Sequence, residues 1–331
     1  MKPSIPITAL NLIHAFVLAM ILSGSTAAQT LKLKESEQAL EVHQGEQVVL
    51  VYNKVSPAVP EGIDPVYHRS GCLHPILTPN GRIVTDMFPK DHPHQHGIFT
   101  AWVKTKYDGR AVDFWNLAGG TGRVLHERVV SHEKTEDRVS FEVDLLHRAV
   151  QEPQVDILRE RWSITAYRTA GSYNCIDLDL KQTALTDKPL IVQKNRYGGF
   201  ALRGRSEWLT RDDKYEGERE SREPSSFLND LGSDRIAGNH EHCKWVALTG
   251  LLDGEPATIS VLSHPTNFRS PQTVRLHPSK PYFVYSPCVD GSFQIDQQHP
   301  YLARYRILIT DAAPNSDWLD EQWKTWSDAE A

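Results

Sequence analysis

Residues Asp91-His92-Pro93-His94-Gln95-His96-Gly97 set three histidines at alternate positions between an acid and a glycine. In an extended backbone side chains repeat every second residue, so His92, His94 and His96 are expected to project from one face. Each imidazole carries two polar nitrogens that need hydrogen bonds or a metal when buried, so three on one face point to a site. The chemistry open to them is proton transfer, because histidine titrates near neutral pH, or metal ligation. The competing reading is a polar strand end facing solvent in a chain with 15 histidines.

Other segments gather residues of the same kind. His74 closes Arg69-Ser70-Gly71-Cys72-Leu73-His74-Pro75, and Thr85-Asp86 leads from there into the cluster. Asp113-Phe114-Trp115 follows an Asp108-Gly109 turn that can fold it back beside the strand after His96. Asn195-Arg196-Tyr197-Gly198-Gly199-Phe200 joins an arginine and a tyrosine to glycines that permit close approach of a backbone or ligand. Ser263-His264-Pro265-Thr266-Asn267-Phe268-Arg269 sits where a strand ends, a usual place for functional side chains. Asp113 reads equally as a turn residue, and His264 as a histidine packed on Pro265.

The elements that must position these residues are strands. Short alternating segments cover 31–34, 39–42 and 48–52, and 98–107 with 111–116 flank the Asp108-Gly109 turn. Longer alternating strands run over 123–132, 139–149, 155–168 and 174–183, and later ones over 244–252, 258–263 and 302–310. So many antiparallel strands predict an all-β fold, a large sandwich of two sheets. The one convincing helix spans about 315–328: Asn315 or Ser316 caps it, and Trp318, Leu319, Gln322, Trp323 and Trp326 fall at helical spacing. Its tryptophan stripe is expected to pack as core and close one end of the sheet stack. The charge-dense stretch 211–223 reads as a surface loop, with a lid over a site as the sharper alternative.

Lys2, an apolar run from Ala15 to Leu22 and small residues from Ser23 to Ala28 have the layout of a secretory signal peptide, cleaved after Ala28 or Ala27. The chain is therefore expected to be exported, to the periplasm or outside the cell, as a single β-sandwich domain over 29–331 with no membrane span after cleavage. Left uncleaved, the same run would be an anchor. A net charge of −6 and the absence of a basic stripe argue against a nucleic-acid partner. Cys72, Cys175, Cys243 and Cys288 form no CxxC pair, which leaves disulfides and buried free thiols both open.

The order His74-Pro75, Asp86, Asp91 to Gly97, Asp113-Phe114-Trp115, Tyr197-Gly198-Gly199 and His264-Pro265-Thr266-Asn267 resembles the DUF6807 family, secreted bacterial proteins also labelled PmoA-like or methane oxygenase. The resemblance runs from about Val48 to Asp311, and it departs at Gln95, where the family pattern has histidine, and at His96, where it has arginine. A methane monooxygenase subunit would need several spanning helices, which the sequence does not offer. The resemblance implies instead a supersandwich similar to galactose mutarotase and a concave face suited to a carbohydrate or other small polar ligand.

These readings converge on a carbohydrate-active protein, a hydrolase, lyase or epimerase. His94 or His264 is expected to be its acid or base, with Asp113 orienting it and His92 and His96 beside it. Tyr197, Arg196, Asn267, Arg269, Trp115 and His74 would bind substrate, with Arg196 or Arg269 taking a uronate or sulfate group. No cofactor is expected on this reading. Two alternatives stand beside it: a divalent transition metal held by His92, His94, His96 and Asp91, and a noncatalytic glycan-binding envelope protein.

Overall fold

The computed structural model describes residues 30–209 and 225–329. The segment 1–28, expected to be a signal peptide, and the charged stretch 211–223 lie outside the described residues. Eight antiparallel strands form a first sheet, in the order Leu31–Glu35, Ala39–Gln44, Gln47–Asn53, Cys72–Ile76, Ile98–Trp102, Gly198–Arg203, Tyr282–Tyr285 and Val274–Leu276. A second sheet of eight runs Ser226–Asn229, Trp245–Leu252, Glu255–Ser263, Tyr301–Thr310, Tyr173–Ala184, Val155–Tyr167, Arg138–Ala149 and Gly122–Lys134. Four short strands, Phe293–Ile295, Leu190–Val192, Thr105–Tyr107 and Arg110–Val112, make a third. The expected large antiparallel two-sheet sandwich is the fold.

The long strands follow from binary patterning. In Val155–Tyr167, Leu158, Trp162, Ile164 and Ala166 are buried between the sheets, while Arg159, Arg161, Ser163 and Thr165 alternate outward. Glu160 breaks this pattern by facing inward fully buried. It is tolerated because Thr100 Oγ1 donates to it at 2.6 Å, Trp162 Nε1 at 2.8 Å, and His147 Nε2 lies 2.6 Å away. Four strands of the first sheet, Cys72–Ile76, Gly198–Arg203, Tyr282–Tyr285 and Val274–Leu276, were not among the expected elements. The last three are buried at every residue, so no apolar–polar alternation marks them in the sequence. The segment 98–107 is also two strands in different sheets, with the predicted Asp108-Gly109 turn joining the second of them to Arg110–Val112.

The C-terminal helix, Ser316–Asp328, is capped by the Asn315 side chain, which accepts from Trp318 N at 3.0 Å. It lies on the outer face of the second sheet, where Leu319 and Trp326 cover Cys175, Trp245, Ala247, Leu262 and Leu308. That placement corrects the expected closure of one end of the stack. Those five outward-facing groups form an apolar patch that water would otherwise meet, and the helix is what removes it.

All four cysteines are free and buried. Burial pushes the thiols of Cys72, Cys175 and Cys288 up to about 12, and that of Cys243 well above its usual range. Native protein is expected to give almost no reaction with a thiol reagent at pH 8 and four equivalents after denaturation. Rapid reaction in the native state, or a mass lower by two protons per disulfide, would contradict this arrangement.

Candidate functional site

Strand register decides which side chains share a face. Phe200 stands opposite both Thr100 and Tyr285, and these point toward the second sheet: Phe200 and Tyr285 pack on Tyr305, and Thr100 bonds Glu160. The alternate row therefore faces away from the core, and it contains Phe99, Ala201 and Arg275, then Arg203 and Tyr282. The histidine segment lies against this outer face.

That segment is not extended, contrary to the sequence expectation. His92 N donates to Pro89 O at 3.0 Å and Gln95 N to His92 O at 2.9 Å, which folds 89–95 into two consecutive tight turns. The three imidazoles consequently do not share a face. His96 turns into the protein, fully buried, with Nε2 2.9 Å from Tyr67 O and its ring against the edges of Phe88 and Phe99. Burial, reinforced by the Arg69 charge, holds it neutral, so it is a wall of the site and donates to the Tyr67 carbonyl. Phe88 adopts a left-handed φ of +54°, which costs on the order of 1 kcal/mol for a bulky residue, and its packing on His96 holds it there. Gly97 then crosses the first sheet at φ +56°; a Cβ there would meet Leu73 O at 2.2 Å.

The centre of the arrangement is Asp91. Arg203, fully buried, donates to its two oxygens at 2.8 and 3.0 Å and to Gln95 Oε1 at 2.9 Å. His92 Nδ1 lies 2.9 Å and Lys280 Nζ 3.2 Å from the same carboxylate. Burial by itself would raise the Asp91 pKa, but the His92 hydrogen bond and the Arg203 and Lys280 charges outweigh it and hold the carboxyl well below the usual range. Around this ion cluster the His92 ring stands 5.5 Å from that of His94 and 6.0 Å from that of His277. His94 is brought down to about 3 by burial and then by the His92 and Arg203 charges. His277 falls to about 3 by burial and then by Arg275, His92, Lys280 and Arg203. Both imidazoles are uncharged at neutral pH.

From His277 the surface continues into an aromatic and basic wall. Tyr282 packs 6.0 Å from His277 and 6.1 Å from Tyr197, and Trp115 lies 6.3 Å from both tyrosines. The guanidiniums of Arg196 and Arg275 stand 5.3 and 5.5 Å from the Tyr197 ring. Gly199, at φ +124°, lets this strand approach Tyr285, whose carbonyl a Cβ would meet at 2.3 Å; the close approach is backbone on backbone.

Of the residues expected from sequence, the structure thus brings together Asp91, His92, His94, Trp115, Arg196 and Tyr197, with His96 behind them. It places the others elsewhere. Asp113 accepts from Trp115 N, Asn116 N and Asn116 Nδ2, a turn-forming role that leaves it no part in orienting a histidine. His264 is buried under the C-terminal helix on the other sheet, its ring 4.9 Å from Trp326 and its Nδ1 2.7 Å from Thr266 Oγ1. Asn267 bonds Ser263 and the backbone of Arg304, and Arg269 spends its donors on the carbonyls of Pro287, Gly291 and Ser292. His74 bonds Thr85 Oγ1 on the far side of Gly97, next to an Asp86–Ser206 hydrogen bond.

The sequence reading missed Gln95 as a partner, and with it Arg203, Arg275, His277, Lys280 and Tyr282. Nothing in the sequence singled out His277: His277-Pro278 is one of five His-Pro dipeptides, and those at His74 and His264 lie elsewhere. Of the residues named for the metal alternative, His96 has Nε2 on Tyr67 O and Asp91 is paired with Arg203. Among the described residues no three His, Cys, Asp or Glu side chains are grouped to hold an ion. A hollow of about 350 Å³ on the second sheet, lined by Arg161, Asp179, Asn267 and Arg304, contains no histidine; its Asp179 pairs with Arg304, and its Arg161 with Asp144 outside it.

The fold and site define a two-sheet antiparallel β-sandwich with a histidine, tyrosine and arginine cluster on the outer face of its first sheet. The chain belongs to a family of unknown function, DUF6807, whose model matches residues 39–324. That description assigns no activity, and no helix among the described residues is long and apolar enough to cross a membrane. No curated protein matches the chain. Among solved structures it is similar to the heparan sulfate lyase HepC from Pedobacter heparinus, at 9% identity and a TM-score of 0.41 over 86% of this chain and 37% of that one. A heparinase III gene product is similar at 8% identity and a TM-score of 0.35, over 85% and 36%. The chain therefore spans little more than a third of the length of these lyases.

Two outcomes follow from the geometry. Asp91→Asn leaves the buried Arg203 and Lys280 without their anion and is expected to cost about 3–5 kcal/mol in urea unfolding, with part recovered in the Asp91→Asn, Arg203→Met double variant. An unchanged unfolding midpoint for the single variant would show that the ion cluster does not hold the loop. The histidines give stability a pH dependence: the unfolded chain protonates them near 6.5, the native one near 3, so stability falls as pH drops from about 6.5 toward 3. Asp91 acts in the same direction only below its unfolded value near 4. His94→Gln and His277→Gln are each expected to flatten the slope between pH 6.5 and 4.5 in thermal melts, and a slope unchanged in both would contradict it.

Proposed function

We propose that this chain is an exported carbohydrate-active protein that moves a proton on a sugar, as a lyase or an epimerase does. The observation that carries the reading is a pair of uncharged imidazoles, His94 and His277, each packed on His92, with Tyr282 of the aromatic wall against the second. Tyr197, half-buried with the buried Trp115 tilted against it, offers an apolar face of the kind that sugar rings cover, and a neutral imidazole has a lone pair ready to accept a proton. In elimination the imidazole takes a carbon-bound proton, the electron pair forms a C=C bond and the glycosidic oxygen leaves. In epimerisation the proton is returned to the opposite face.

Hydrolysis by two carboxylates is less well supported, because that mechanism needs one free acid and one free base or nucleophile flanking the bond. The carboxylate in contact with these histidines is Asp91, and its oxygens are already engaged by Arg203, His92 and Lys280. Export rests on the apolar run and small residues at 15–28.

The test is turnover on a panel of polysaccharides by protein carrying His94→Ala or His277→Ala, with His264→Ala as a packing control. Each of the first two is expected to lose about 10²- to 10⁴-fold in kcat with an intact fold. His264→Ala is expected to lower thermal stability and to keep full turnover per folded molecule. Full turnover in both site variants would overturn the assignment, and wild-type binding without any turnover would leave a glycan-binding protein instead of an enzyme.

A further inference from the structure

Arg275 is nine-tenths buried on the outer face of the first sheet, yet no carboxylate among the described residues lies within ion-pair reach of it. Its Nη1 donates to Asn239 Oδ1 at 2.7 Å and to Leu276 O at 2.6 Å, Nη2 reaches Tyr197 OH at 3.5 Å, and the buried Nε has no partner. Two other buried arginines also make no ion pair among the described residues, so it is the setting that distinguishes Arg275. Arg235 spends its donors on His277 O, Lys280 O and both oxygens of Ser225, and Arg69 sits inside the core, donating to Thr100 O with Nε and Nη1 unpartnered. Arg275 instead stands at the aromatic wall, next to the exposed Arg196 and to His240 and His277. A buried guanidinium held only by neutral groups is costly, and the cost is removed when an anion arrives.

We infer that the Arg275–Tyr197–Arg196 corner is an anion subsite that takes the acidic group of the sugar, so that the substrate is a uronate-bearing glycan. This rests on the preceding reading that the ligand of this face is a sugar. The planar guanidinium of Arg275, with Nε unpartnered and Nη2 only weakly engaged, has one edge that matches two oxygens of an anion, and among sugar anions the carboxylate is chosen because it alone also acidifies the C–H that an imidazole has to deprotonate. The consequence for chemistry is direct. A carboxylate neutralised by Arg275 acidifies the adjoining ring C–H, and its negative charge offsets the cations that hold His277 down, which raises the basicity of the imidazole two residues along the same face.

Affinity is to be measured for oligogalacturonate, unsulfated chondroitin, heparan sulfate, their carboxyl-reduced counterparts, desulfated heparan, and a neutral glycan such as cello-oligosaccharide. Wild-type protein is expected to bind at least one uronate glycan and to lose about 10- to 100-fold on carboxyl reduction. Arg275→Gln is expected to abolish that difference, binding the acidic and carboxyl-reduced forms equally, with its melting temperature recorded alongside. Should Arg275→Gln fail to fold, Arg196→Gln, an exposed position, is expected to reduce the same ratio by a smaller factor. Loss of binding on desulfation but not on carboxyl reduction would replace uronate by sulfate and overturn the inference. Binding of neutral glycans with no preference for acidic ones would overturn it while leaving the sugar reading intact. Failure to bind any glycan would overturn both.

Discussion

The buried ion pair between Asp91 and Arg203 is the constraint on which the site depends. Arg203 ends a strand in the middle of the first sheet, and Asp91 belongs to a loop with no ladder of its own, so the pair ties an irregular segment to a rigid one. Two turns, an inward His96 and a left-handed Phe88 follow from the geometry this tie imposes. A buried pair of this kind gains little net stability over an apolar one of similar shape, but leaving either charge alone is expensive. Its effect is specificity of placement: with the tie intact, His92 and His94 stand beside His277 from a distant part of the chain.

Electrostatics then sets what these groups can do. Arg203 and Lys280 hold the one carboxylate, Arg275 stands nearer His277, and the imidazoles of His94 and His277 lose their charge because burial and cationic neighbours act together. The result is a face with uncharged imidazoles, aromatic rings and surplus positive potential. Each property has a separate cause, yet all three are gathered where loops meet the outer face of four adjacent strands. The second sheet differs in kind. On its outer face Asp144 pairs with Arg128 and Arg161, and Asp177 with Arg306, so opposite charges satisfy one another across neighbouring strands.

Much of the fold was legible because the long strands have one wet face. From Val155 to Tyr167 burial alternates almost residue by residue, and the sequence carries that alternation openly. The helix was legible for a similar reason, with Asn315 as its cap and Trp318, Leu319, Trp323 and Trp326 along one side. The site was legible only in part. Asp91, His92 and His94 announced themselves by type and spacing, but extended geometry was the wrong inference, since turns at Pro89–Gln95 override period-two projection. Asp113 and His264 were of suitable chemical type and in suitable order; one proved to form a turn and the other to pack on Trp326.

What the sequence determined by itself was therefore local: which strands alternate, where a turn falls, and that the segment from Asp91 to His96 carries titratable groups too costly to bury idly. Which of those groups meet was decided only in three dimensions. Arg203, Arg275 and Tyr282 come from strands covered on both faces, whose burial erases any pattern, and His277 follows the strand of Arg275. Their convergence on Asp91 and Tyr197 depends on Phe200 pairing with Thr100, 100 residues before it, and with Tyr285, 85 residues after it. Register and long-range charge pairing are properties of the folded sheet, and no window of neighbouring residues contains them.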